Sequence, residues 1–154
     1  MTTIVSSRVV RAGTEAAVAL FLDWSMDRWW RTRVRRMNVD QPGPAQVGQR
    51  IEEELRFAGM TFVTPTRIES AGPTAAHYTG GSALVTVAGS REVRAEPHGH
   101  VTLVATIEVA MRGVLRPLTP LLTPMYRRLQ ERDLDRLAAL LDGDVHLTPP
   151  SPSP

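Results

Sequence analysis

The chain has 154 residues and no cysteine, the length of one ordinary domain, and lacking thiols it excludes disulfides, thiolate nucleophiles and cysteine-ligated zinc or iron–sulfur sites. Apolar residues make up 42% and charged residues 22%, a globular balance that excludes disorder for the bulk of the chain. All 18 basic residues are arginine, set against 16 acids for a formal charge of +2, and charges so nearly matched generate little long-range field, so no nucleic-acid partner is expected.

No apolar run approaches the roughly 20 residues that span a bilayer, and Met1 leads into threonines rather than a basic segment followed by an apolar one. The expectation is an unprocessed cytoplasmic protein with no membrane span. Thr2–Arg11 alternates around Ile4 and Val10 and reads as a strand. Thr14 is the expected N-cap of a short helix over 16–22, and Ser25 that of a second short helix carrying Trp29 and Trp30. Arg33–Asp40 reads as a strand stopped by Gln41-Pro42-Gly43-Pro44.

From Gly48 the period is two. Ile51, Leu55 and Phe57 share one face of a strand against Arg50, Glu52, Glu54 and Arg56, the pattern of a sheet wet on one side. A meander follows: a break at Gly59, a strand with Met60, Phe62 and Ile68, a turn at Ala71-Gly72-Pro73, a strand over 75–79, a turn at Gly80-Gly81 and a strand over 83–95. After Pro97-His98-Gly99, Val101, Leu103, Ala105, Ile107, Val109 and Met111 alternate with polar residues. Thr123-Pro124 is the expected start of a long helix to Leu141, with Gly143 closing it. Its apolar stripe is Met125, Leu129, Leu137 and Leu140, with Tyr126 and Asp133 on the same side. The folded part is therefore 1–143, and 144–154 is a Pro/Ser tail expected to be disordered.

Phe21-Leu22-Asp23 ahead of the tryptophans, Val47-Gly48 opening a strand, a strand led by Gly99 and a proline-broken C-terminal helix together resemble the START-like, or SRPBCC, superfamily. The likeness is to its polyketide cyclase/dehydrase branch, over roughly residues 4–142. It implies an α+β helix-grip fold: a curved antiparallel sheet of about seven strands around the long C-terminal helix, with two short helices after the first strand. It also implies a hydrophobic cavity between sheet and helix for one small lipophilic ligand. Where family members often open the last strand with Gly-Thr, this chain has Gly99-His100, and where some aromatase/cyclases carry a tyrosine it has Arg31, Arg33, Arg35 and Arg36.

Strand parity places Glu53 on the apolar face, where an unpaired carboxylate is costly and would have a raised pKa suited to general acid or base work. Two alternatives stay open: a bulge turning it outward, or a buried pair with an arginine. Arg91 shares parity with Val85, Val87 and Val93, to hold a ligand oxyanion or, alternatively, to reach solvent at the strand end. Arg67 sits near the inward arginine of cyclases in the resembled family, although its parity opposes Ile68. Of His77 and Tyr78 only one points inward, either being a donor to a ligand carbonyl.

Glu53, Arg91, His77 and Arg67 are thus the candidate catalytic residues. Trp29, Trp30, Leu55, Phe57, Met60, Phe62, Tyr78, Leu122, Met125, Tyr126 and Leu129 are the candidate ligand contacts. The tryptophans beside Arg28, Arg31, Arg33, Arg35 and Arg36 read as one in the core and one at the rim, with the arginines solvated; the mouth of a ligand pocket is the next alternative and an RNA-stacking surface the last. His98 and His100 flank a turn glycine and make no metal site. No P-loop, dinucleotide fingerprint or Gly-x-Ser-x-Gly elbow is present. The expected function is cofactor-free cyclisation or dehydration of a polyketide-like molecule held in the cavity, with a non-catalytic carrier or sensor of a lipophilic ligand as the alternative. Monomer and homodimer both stay open.

Overall fold

The computed structural model describes residues 1–143, so the expected disorder of the tail lies outside the described residues. In chain order the elements are β1 (Thr2–Val10), α1 (Thr14–Phe21), a 3-10 helix (Trp24–Trp29), β2 (Val34–Val39), β3 (Arg50–Phe57), β4 (Met60–Ala71), β5 (Ala75–Gly81), β6 (Val85–Ala95), a 3-10 turn (Pro97–Gly99), β7 (Val101–Met111), a 3-10 segment (Gly113–Leu118) and α2 (Thr119–Leu141). The seven strands form one antiparallel sheet in the order β1-β7-β6-β5-β4-β3-β2. This is the helix-grip arrangement, with α2 laid against the apolar face of the sheet.

The alternation decides which face is covered. Val101, Leu103, Ala105, Ile107, Val109 and Met111 on β7, Ile51, Leu55 and Phe57 on β3, and Phe62 and Ile68 on β4 are all buried, while Arg56, Val63 and Glu108 between them are exposed. On α2 the buried residues are Leu122, Leu129, Asp133, Leu134 and Leu137, which fall on one side of the helix. Met125 and Leu140 of the expected stripe are half-buried.

Three boundaries differ from the sequence reading. The second short helix is capped by Asp23, whose carboxylate accepts from the Ser25 backbone N–H at 3.0 Å and also from the Ser25 hydroxyl. For α1 the N-cap is Gly13, with Thr14 the first helical residue. The long helix begins at Thr119, leaving Pro124 inside it. Pro120 takes the first turn, where a missing N–H is harmless, so helix formation does not wait for Pro124. Gly143, at φ +77°, ends the helix as expected.

Gly80 and Gly81 lie within β5 rather than in a turn. A methyl on Gly80 would collide with the backbone of Pro65 and Thr66 on β4, so the glycine serves close strand approach. Gly89 does the same for a side chain. It pairs with Tyr78 across β5 and β6, and a methyl there would meet the Tyr78 ring and the Thr106 carbonyl. The bare backbone lets the Tyr78 ring lie flat over β6, where it meets Trp24 edge-on at 5.8 Å. Gly89→Ala is expected to lower stability by about 1–3 kcal/mol, seen as a lower urea midpoint. Gly72→Ala, whose methyl comes no nearer than 3.9 Å to the Ala75 carbonyl, should leave the midpoint near its original value.

Candidate functional site

The buried apolar residues form three clusters rather than one. The first gathers Leu55, Phe57, Phe62, Val109 and Leu129, the second Phe21, Trp30, Leu103 and Leu134, and the third Trp24, Ile51 and Ile68. Where they meet, between the sheet and α2, lies a chamber of about 100 Å³ lined by members of all three. Its walls are uneven in chemistry. Toward one end of β6 and β7 stand Val85, Val87, Val109 and Met111; toward the other stand Arg91 and Ala105, which pair across the strands. Val85 and Arg91 are six residues apart, roughly 20 Å of strand.

The polar end is built on Asp27. This side chain, fully buried in the 3-10 helix, accepts from Arg91 through both carboxylate oxygens at 2.7 Å and from Arg31 Nη1 at 3.0 Å. Arg31 follows Asp27 by four residues, one turn on, and its guanidinium also grips Glu53 on β3 by two parallel bonds of 2.8 and 2.9 Å. Two guanidiniums and two carboxylates therefore alternate as Arg91, Asp27, Arg31, Glu53. Burial alone disfavours charge on Arg31, yet Glu53 and Asp27 outweigh it and raise its pKa well above the ordinary value.

Arg91 is 7% exposed and donates also to the Phe21 carbonyl at 3.1 Å. Its guanidinium lies 4.1 Å from the Trp24 ring centre, 5.1 Å from that of Trp30 and 5.6 Å from that of Phe21. Aromatic faces replace part of the lost hydration, and Ala105 opposite leaves room for the group. The alternative in which Arg91 reaches solvent is not what is found.

Three more titratable groups line the chamber. Asp133 on α2, 4% exposed, accepts from the backbone N–H and the hydroxyl of Thr32, both at 3.1 Å. Burial raises its pKa against the opposing pull of Arg31 and of these hydrogen bonds. Tyr126 and Tyr78 are both raised, chiefly by burial, with arginines opposing. The two nearby guanidiniums are already matched by two carboxylates, so Asp133 is a third acid that among the described residues forms no ion pair of its own.

Of the sequence candidates, Glu53, Arg91, Trp30, Leu55, Phe62, Tyr78, Tyr126 and Leu129 line this chamber. His77 and Arg67 do not: both lie on the exposed face of the sheet, His77 beside the Ser70 hydroxyl at 3.1 Å. Alternation forces this, since Tyr78 and Ile68 next to them take the inner face. Trp29, Phe57, Met60, Leu122 and Met125 pack around the chamber without lining it. The sequence reading missed Asp27, Trp24 and Thr64 as site residues and took Arg31 as solvated. Asp27 and Arg31 stand at an Asp-x-x-x-Arg spacing, but in a segment too short for a period to mark either as inward.

The sequence matches the family described as polyketide cyclase / dehydrase and lipid transport over residues 1–142. The chain belongs to that family. No curated protein matches it. Solved structures share the family fold at low identity. The ZhuI aromatase/cyclase from Streptomyces sp. R1128 superposes with a TM-score of 0.77 at 13% identity, covering 94% of this chain and 96% of its own. A protein from Thermus thermophilus gives 0.74 at 12%, covering 94% and 100%. A START superfamily protein from Mycobacterium smegmatis gives 0.67 at 14%, covering 93% and 96%. The START-like fold expected from the sequence is the one observed. No helix among the described residues is long and apolar enough to cross a membrane.

Two outcomes follow for this polyketide cyclase/dehydrase family member. Asp27→Ala strands Arg91 in the core and should cost about 3–5 kcal/mol in urea unfolding, whereas Asp27→Leu with Arg91→Met should recover much of it. Asp133 has a folded pKa above the ordinary 3.8, so the folded state holds the extra proton and wild-type stability falls as pH rises from 3.8 through the raised value. The stability of Asp133→Asn minus that of wild type should therefore grow over that window in unfolding curves taken at successive pH.

Proposed function

We propose that the protein holds a small hydrophobic, polyketide-like molecule in the chamber and promotes its cyclisation or dehydration without a cofactor, with Glu53 transferring the proton. The observation carrying this reading is the Arg31–Glu53 pair set in the wall of a chamber whose other end is apolar. An apolar cage restricts a flexible chain to folded conformers, supplying much of what ring closure needs. Arg31 is a positioning residue that fixes both oxygens of Glu53. Each oxygen keeps a second lone pair, so the carboxylate remains able to take a proton from carbon next to a substrate carbonyl. For dehydration, the departing hydroxyl needs a proton, and Asp133, the other carboxyl group lining the chamber, is the candidate to give it. The chamber is smaller than the roughly 300 Å³ or more of pockets that take drug-sized ligands, so a ligand of two or more rings displaces wall side chains on entry.

A second reading, a carrier or sensor of a lipophilic ligand, is favoured by one observation. Both oxygens of Glu53 already accept from Arg31, and Arg91 is held by Asp27 and Phe21, which suits a rigid orienting wall.

Incubation with linear polyketide-type and lipid ligands, followed by chromatography and mass spectrometry, separates them. The cyclase reading expects a product of unchanged mass and new retention, or one lighter by a water, with turnover falling about 100-fold or more in Glu53→Gln while binding persists. Ligand recovered bound and unaltered from the wild-type protein would establish the carrier instead.

A further inference from the structure

A second concavity lies beside the chamber. The β3–β4 turn and the middle of α2 enclose a groove of about 450 Å³ whose charged lining is Arg33, Arg35, Arg56, Arg128 and Arg132. Among the described residues no acidic side chain lines it; the remaining lining residues are Phe57, Ala58, Gly59, Met125 and Leu129. The groove thus holds a formal +5 in a chain whose total is +2, so the rest of the molecule is net negative by 3.

Elsewhere arginines meet acids: Arg8 with Asp135 at 2.6 Å, Arg31 with Glu53 at 2.8 Å, Arg91 with Asp27 at 2.7 Å and Arg94 with Glu92 at 3.0 Å. Among the described residues, Arg33, Arg56, Arg128 and Arg132 have no carboxylate within ion-pair distance. Arg128 and Arg132 stand one helical turn apart on the same face, a spacing at which like charges repel. Folding has gathered like charges into one concavity, where a bound anion would relieve their repulsion.

Groove and chamber share a wall. Leu129 lines both, and Phe57 on the groove side meets Tyr126 on the chamber side edge-on at 5.7 Å. We propose that the groove binds the phosphate or diphosphate group of a small phosphorylated ligand whose apolar part passes Leu129 into the chamber. Several guanidinium forks around one multi-oxygen anion favour phosphate, whose oxygens they engage pairwise. RNA would need exposed rings on which bases stack, and here Trp24 and Trp30 are buried and Trp29 is packed in the second cluster. A bilayer meets a protruding surface, whereas these arginines line a hollow. The apolar half of the proposal rests on the chamber as a ligand site; the anion half stands without it.

The test is calorimetric titration of the full chain with inorganic pyrophosphate, then with inorganic phosphate and octyl phosphate. Saturable one-to-one pyrophosphate binding is expected, about tenfold or more weaker in Arg128→Ala/Arg132→Ala, intermediate in the corresponding double lysine variant, and unchanged in Arg94→Ala. Both alanines replace exposed side chains, and an unchanged thermal melt verifies folding. Octyl phosphate should bind about tenfold tighter than inorganic phosphate if its alkyl part enters the chamber. Pyrophosphate heats that do not saturate, or that the double alanine variant leaves unchanged, would overturn the anion site. So would arginine-dependent sedimentation with phosphatidylcholine/phosphatidic acid vesicles in the absence of pyrophosphate binding. Pyrophosphate binding without any octyl gain supports the groove and overturns the passage into the chamber, and a chamber that binds apolar ligands beside an inert groove overturns the groove alone.

Discussion

The structure depends on one buried carboxylate being shared by two guanidiniums. Asp27 joins Arg91 on β6 to Arg31 beyond the short helix, and through Arg31 it reaches Glu53 on β3. Four charged groups are thereby removed from most of the solvent in alternating sign. Any one left alone would be intolerable there, since an unpaired buried charge costs several kcal/mol. The pairing also fixes a short segment, together with the burial of Trp24 and Trp30 on either side of it. The 3-10 helix over Trp24–Trp29 is only 6 residues long, too short to be stable by itself, and Asp27 pins it across the end of the sheet.

That pinning shapes the chamber. Trp24 and Trp30 are drawn around the Arg91 guanidinium, and their rings close the polar end, while β-branched and leucine side chains of β3, β6, β7 and α2 make the apolar remainder. A core of this size would ordinarily fill to uniform density. Here three clusters leave a gap between them, and the groups facing the gap include two tyrosines and an aspartic acid whose pKa values are all raised, burial being the main cause. A lined gap with titratable groups at one end suits a ligand site better than it suits stability. The arginine groove beyond Leu129 continues the same logic on the outside, with charge gathered where folding alone gains nothing from it.

Strand parity was readable wherever one face was wet, which is why Glu53 between Ile51 and Leu55 and Arg91 among the valines of β6 point inward as their positions imply, whereas parity said only that one of His77 and Tyr78 does. Helical spacing likewise put Tyr126 and Asp133 on the covered side of α2. Asp27 and Arg31 carried no such signal. They sit in and just after a helix of barely two turns, where no period can develop, and Arg31 is one of several arginines that look alike in sequence but differ in burial. Gly80-Gly81 reads as a turn because glycine serves both turns and close strand approach, and only the neighbouring backbone of β4 tells them apart. Pro124 misleads similarly, since a proline tolerated inside a helix looks the same as one that starts it.

The central claim is that the gap between the sheet and α2 receives an apolar ligand with its polar group toward Arg31 and Glu53. The direct measurement is NMR on protein labelled at its methyl groups, titrated with 2-naphthol as a ring-bearing probe. The account predicts saturable shifts and intermolecular contacts to the methyls of Leu55, Val87, Ile107 and Val109. Contacts confined to exposed methyls such as those of Val114 and Leu121, with the chamber methyls unmoved at saturation, would contradict it.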